Sequence, residues 1–364
     1  MKTVLTISLS SIAGHIHQWL EKAIGNPTIV YLIDMVLVAV CLLVFLVLLC
    51  FFLGWMERKV AAFMQIRLGP NRVGPKGSMQ IVADTVKLLF KEGLTPAASD
   101  KFLFHLAPMI VVIASMMVCA PLAFAKDFQI FDISIGVLYV SAVSSLGIIG
   151  ILMAGWSSYN KYSLLGAMRS GAQIVSYELS IGLSLISVVI MVGSLKMSDI
   201  VMSQSDGWWI WKGHIPMIIS FIIFVVASTA EINRAPFDLT EAEQELTGGF
   251  HTEYSGMKFA MFLLSEYINL FVVSAIAATL FLGGWMPLHI GHLQSFNHIM
   301  DYIPSSIWFM GKTMFIIFII MWFRWTFPRL RVDQLLNLEW KYLLPISMVN
   351  ILLVTLMAIM GWHF

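Results

Sequence analysis

Six carboxylates and one arginine crowd the stretch Glu231 to Gly256, EINRAPFDLTEAEQELTGGFHTEYSG. Glu231, Asp238, Glu241, Glu243, Glu245 and Glu253 stand against Arg234 alone. The chain has only 21 acids in all, so this crowding needs a physical reason. A run of like charge is often just a solvated loop. Beside apolar segments it can instead be a cluster that takes up protons or cations at the mouth of a path into a bilayer. Local spacing gives the second reading some chemistry. Pro236 stops the preceding apolar run, and Asp238 or Thr240 can cap a short helix starting near Glu241. Glu241 and Glu245 then fall at i and i+4 on one face, where like charges repel and couple their proton affinities.

Four further ionisable residues lie inside apolar runs: Asp34, Glu178, Glu266 and Lys312. An unpaired charge at the centre of a membrane helix costs roughly 2.5–3.5 kcal/mol on insertion scales. Each must therefore be protonated, paired or facing water. Glu178, expected about a turn and a half into its run, and Glu266 could extend the acidic stretch into a chain of carboxylates suited to a proton relay. Helix-to-helix hydrogen bonds are the alternative for both.

A second set of polar residues is mostly basic. Glu57-Arg58-Lys59 closes the first apolar run, and RLGPNRVGPKGSMQ (67–80) follows with Arg67, Arg72 and Lys76. Its two Gly-Pro pairs exclude a regular helix and predict a stiff, defined loop suited to docking a partner or a polar head group. Residues 78–92 predict an amphipathic helix, with Met79, Val82, Val86 and Leu89 on one face and Asp84, Lys87 and Lys91 on another. It could lie in the membrane interface against lipid or a lipid-like ligand. Arg324, Arg329 and Arg331 are natural partners for the acids of the 231–256 stretch or for acids on a neighbouring subunit. No metal centre is expected. Cys41, Cys50 and Cys119 show no CxxC spacing, and the spacings of His289, His292 and His298 match no local ligand pattern.

Composition says what must position these groups. Hydrophobic residues make up 59% of the chain and charged residues only 12%, about half the share usual in a soluble domain. This excludes a soluble globule and a nucleic-acid binder, and predicts an all-α polytopic membrane protein. Eight apolar runs are long enough to span a bilayer: roughly 30–54, 104–124, 135–156, 173–194, 214–231, 257–283, 306–326 and 342–362. The odd-numbered loops (about 55–103, 157–172, 232–256 and 327–341), with their edges, hold 16 of the 22 lysines and arginines. Basic residues stay cytoplasmic during insertion, so these loops face the cytoplasm and both termini face the periplasm. Residues 30–364 form a single eight-helix domain. Before it, residues 1–29 carry Leu9, Ile12, Ile16, Trp19, Leu20 and Ala23 at helical spacing, an amphipathic segment for the membrane surface.

Four stretches now carry a resemblance: GWMERKVAAFMQIRLGPNRVGPKGSMQIVADTVKLLFKE (54–92), LLGAMRSGAQIVSYE (164–178), AEINRAPFDLTEAEQELTGGFHTEYSGMKFAMFLLSEY (230–267) and FRWTFPRLRVDQLLNLEWK (323–341). The chain resembles the quinone-site membrane subunits of proton-pumping NADH:quinone oxidoreductase, respiratory complex I. The resemblance implies a subunit without its own redox centre in a bacterial inner membrane. It would wall a chamber for a quinone substrate, ubiquinone or menaquinone, with no metal or flavin of its own. Electrons would come from peripheral iron–sulfur and quinone-site subunits, protons would move in antiporter-like subunits, and small membrane subunits and membrane lipid would be further partners. By the same resemblance Glu57, Arg58, Arg67, Arg72, Asp84 and Lys87 belong to the quinone-binding or docking motifs. Glu178, Glu231, Asp238, Glu241, Glu243, Glu245, Glu253 and Glu266 belong to an acidic funnel that couples quinone reduction to proton translocation. The residues leave two other readings open, a related subunit of an energy-converting hydrogenase and a free-standing ion transporter.

Overall fold

The computed structural model describes residues 14, 17–22, 25–126, 128–205, 207–238, 247–289 and 294–362. In chain order its main helices are α1 (Pro27–Met64), α2 (Gln80–Phe90), α3 (Lys101–Val118), α4 (Gly136–Ser157), α5 (Lys161–Val192), α6 (His214–Glu231), α7 (Met257–Phe281), α8 (Ser305–Thr326), α9 (Val332–Leu338) and α10 (Leu344–Met360). A π-turn, Glu339–Leu343, fuses α9 to α10. Among the described residues eight helices are long and apolar enough to cross a membrane: α1, α3 to α8, and the fused α9–α10. Helices are what such a chain must form, because hydrocarbon offers backbone N–H and C=O groups no other partner.

The bundle is built around α7. From Leu270 to Phe281 it is buried on every side, and it packs against α1, α3, α6 and α8. The flank of α1 carrying Leu32, Val36, Val40, Val44 and Leu48 is exposed instead, the pattern of a helix facing lipid.

Several helix ends differ from the expected ones. Helix α1 runs on to Met64, about 57 Å at 1.5 Å per residue, so Glu57, Arg58 and Lys59 sit within it and not in a loop. MERKVAAFM contains no breaker, and only at Gln65 does the backbone cap itself on Ala61 and Phe63. The loop expected at 157–172 shrinks to three residues. Asn160 accepts from the Tyr162 N–H (2.9 Å) and starts α5 at Lys161, which places Glu178 near mid-helix and not a turn and a half from its start. The last span likewise begins at Val332, leaving only 327–331 as the connection before it.

Residues 65–79 have the stiff shape expected of them. Gly77 has φ +76°, and a Cβ there would lie 2.1 Å from the Pro70 carbonyl oxygen, so only glycine lets the two Gly-Pro turns fold onto each other. Helix α2 follows, with Met79, Val86 and Leu89 exposed. Of the N-terminal amphipathic segment, 17–22 is helical, with Trp19 exposed and Leu20 buried, while Leu9, Ile12, Ile16 and Ala23 lie outside the described residues.

Candidate functional site

The acidic stretch is held against α5 by hydrogen bonds to side chains of that helix. Gln173 Nε2 donates to the carbonyls of Ala230 and Phe237, both at 2.8 Å, and Asn233 Nδ2 donates to Ser170 Oγ at 3.1 Å. Further on, Gly166 allows the turn at Gly249 to close onto the helix, and Ser163 Oγ donates to the Phe250 carbonyl (2.9 Å). Tyr254 stacks on Phe104 at 4.1 Å and donates to its carbonyl; burial pushes its hydroxyl up to about 12. These contacts fold residues 230–238 and 247–256 over one end of the bundle, where the odd-numbered loops gather.

Two cavities meet beneath this cover. The first, about 390 Å³, is lined by Glu57, Arg58, Arg67, Tyr267 and Arg324. The second, about 140 Å³, lies between α3, α4, α5, α6 and α7 and is lined by Glu178, Glu231 and Asn233 among many apolar side chains. It has room for several waters. His251, Phe259, Leu263 and Glu266 line both. Burial pushes His251 down to about 4, so it stands neutral at neutral pH in the wall between the cavities.

At that wall sits a cluster of two carboxylates and two guanidiniums. Arg234 is 1% exposed; its Nε donates to Glu266 Oε1 at 2.8 Å, its Nη1 lies 3.2 Å from Glu57 Oε2, and its guanidinium covers the Tyr267 ring at 5.0 Å. Arg324 bonds Glu57 Oε1 through Nη1, which also lies 3.8 Å from Glu266 Oε1. Burial opposes the Arg234 charge, but Glu57 and Glu266 outweigh it and hold the guanidinium above its ordinary range. Matched charges are what make so buried a cluster tolerable.

The other expected residues divide. Glu178 accepts from Ser145 Oγ on α4, and Glu231 faces the same cavity from the end of α6. Asp238 lines neither cavity and pairs with Arg329 at 2.9 Å, which ties the stretch to the α8–α9 turn. Glu253 lies apart, accepting from Asn160 Nδ2 at 2.6 Å. Asp84 pairs with Arg58 at 2.7 Å and so fixes α2 to α1. Arg67 donates to Gln65 at the rim of the first cavity, whereas Arg72 and Lys87 are exposed and line neither. Glu241, Glu243 and Glu245 lie outside the described residues, as does His292.

The other two ionisable residues inside apolar runs, Lys312 and Asp34, have partners away from both cavities. Lys312 donates to the carbonyls of Leu282, Gly284 and Met286 at 2.6–3.0 Å, which clamps the turn after α7. Asp34 pairs with His17 at 2.6 Å. Arg324 also takes other partners than expected, meeting Glu57 and Glu266 instead of the loop acids. The sequence reading assigned no site role to Arg234, His251 or Tyr267. A signal for Arg234 was present in its position as the one base among six acids. Among the described residues no three metal-ligating side chains converge.

Residues 36–355 match the model of a family described as NADH dehydrogenase. The chain belongs to the NADH dehydrogenase family. Both cavities and the four-charge cluster lie within the matched segment. A relative from Bacteroides fragilis, named as the H subunit of NADH-quinone oxidoreductase, is 54% identical over 98% of this chain and 99% of its own length. One of the same name from Phocaeicola vulgatus is 51% identical over 95% and 98%. NADH-quinone oxidoreductase subunit 8 of Rhodothermus marinus is 50% identical over 84% and 91%. As an NADH dehydrogenase family member with eight apolar helices, the chain is a multi-pass membrane subunit of an oxidoreductase complex.

Proposed function

We propose that this chain walls the quinone chamber of a proton-translocating NADH:quinone oxidoreductase and passes the charge change of quinone reduction to an acid-lined path in the membrane. The names of its relatives favour this reading over a hydrogenase subunit or a free-standing transporter. The observation that carries it is Glu266, which lines both cavities and shares Arg234 and Arg324 with Glu57.

The first cavity takes the quinone head group, with α2 and α1 offering apolar surface to its tail. Electrons come from a peripheral iron–sulfur partner, and each quinone takes up two electrons and two protons to become a quinol. Negative charge arising beside Arg324 and Arg234 competes with Glu57 and Glu266 for the guanidiniums. Glu266 then presents a changed charge to Glu178 and Glu231 across the second cavity, and their proton occupancy responds. His251, neutral in the shared wall, separates the two spaces without adding charge. In this reading the odd-numbered loops are cytoplasmic, the termini periplasmic and the membrane the bacterial inner membrane. Residues 30–364 act as one domain behind the surface segment 1–29. Lipid covers the outer flank, the peripheral quinone-site subunits dock on the stiff 65–79 loop, and small and antiporter-like subunits receive the coupling.

The test is Glu266→Gln in the whole complex, reconstituted in vesicles, with NADH:quinone reduction and proton uptake measured together. The expected result is quinone reduction that continues with fewer protons moved per electron. An unchanged proton-to-electron ratio refutes the coupling role.

A further inference from the structure

Glu339 is completely buried yet lines neither cavity. It opens the π-turn between α9 and α10, in which the Leu344 N–H reaches back five residues to the Glu339 carbonyl. Pro345 accounts for the turn, because it lacks the N–H that would continue the regular ladder onto Lys341. Such insertions recur at functional sites. Here the carboxylate meets α5, where Ser180 Oγ donates to its Oε1. Oε2 has no hydrogen-bond partner among the described residues.

The surroundings lead from this carboxylate to an open groove. Gln173, Tyr177 and Ser180 stand four and three positions apart, on one face of α5. The Tyr177 hydroxyl donates to the Leu335 carbonyl at 3.0 Å. Leu335 and Gln173 in turn line a groove of about 200 Å³ between α5 and α9, which Arg169 and Leu336 also border. Gln173 is buried and, like Glu339, has a side-chain oxygen without a hydrogen-bond partner among the described residues. Two open acceptors therefore bracket the file, one beside the groove and one at its inner end. Glu178 projects from a different face of the same helix into the acid-lined cavity.

We propose that Glu339 is a further proton-binding site of this chain, reached from the α5–α9 groove past Gln173, Tyr177 and Ser180 and separate from the acid-lined cavity. The other role for such a group is a fixed hydrogen bond between α5 and the last span, and proton exchange separates the two.

Infrared difference spectra of the whole complex in membranes, recorded on exchange from H₂O to D₂O, give the readout. A carboxylic-acid C=O band is expected to shift on exchange, to vanish in Glu339→Gln and to persist in Glu178→Gln. Ala172→Trp, which fills the groove, is expected to slow the shift several-fold. Superposable spectra for wild type and Glu339→Gln overturn the proposal, as does a Glu339 band that never exchanges. Should Glu339→Gln fail to assemble, Ser180→Ala removes only the hydroxyl donor and must move a band that Glu178→Gln leaves in place; no such movement also overturns it. Failure here leaves the two-cavity reading standing, since Glu266→Gln tests that separately.

Discussion

Arg234→Met tests the four-charge cluster most directly. The substitution keeps an unbranched apolar stem in the buried site and deletes the guanidinium. Glu57, 5% exposed, and Glu266 then share Arg324 as their remaining cation in the cluster. Removing one partner of a buried ion pair costs about 3–5 kcal/mol, largely because the other charge stays buried. Arg324 continues to neutralise one carboxylate, and the Glu266 side chain is 23% exposed, so the loss belongs near the lower limit, about 3 kcal/mol. The double variant Arg234→Met/Glu57→Gln removes one charge of each sign and restores the balance. It is expected to recover about half of that loss, since replacing a whole buried pair is often close to neutral. The assay is the rank order of thermal midpoints of the purified complex in detergent, with wild type above the double variant and the double above Arg234→Met. A double variant melting at or below the single shows that Glu57 and Arg234 do not depend on each other, and refutes the cluster as a unit.

Three further expectations follow from single contacts. His251 has its folded-state proton affinity lowered by burial to about 4, so between roughly pH 6.5 and pH 4 the unfolded chain binds the extra proton and stability falls with falling pH; His251→Gln should lose less on acidification than wild type in paired melting curves, and equal losses count against a buried neutral histidine. Gly77→Ala puts a Cβ 2.1 Å from the Pro70 carbonyl, and the 65–79 loop must open to relieve it; native gels should show less of the peripheral arm bound, and full occupancy would mean this loop does not dock it. Arg329→Gln removes the Asp238 partner at 2.9 Å and should cost about 1 kcal/mol, the upper end for a pair with one exposed member; the charge swap Asp238→Arg/Arg329→Asp should recover part of this in the same melting assay.

Sequence reasoning carried furthest where one-dimensional signals are strong. Eight apolar runs gave eight long helices, because hydrocarbon leaves the backbone so few alternatives. The Gly-Pro pairs of 67–80 gave a fixed turn for the same kind of local reason. Helix ends were less legible: MERKVAAFM and KYSLLGAMRSGAQ look like loop by hydropathy, yet nothing in them stops a helix. Side-chain partners were the least legible of all. Arg324 meets Glu57 across 267 positions, and the packing of α1, α7 and α8 against one another brings them together. The expected residues had been sorted into a docking set containing Glu57 and a proton set containing Glu266. In the folded chain these two carboxylates share the same two arginines. A charge that perturbs one must alter the electrostatics of the other, so the boundary between the two sets falls inside a single ion cluster.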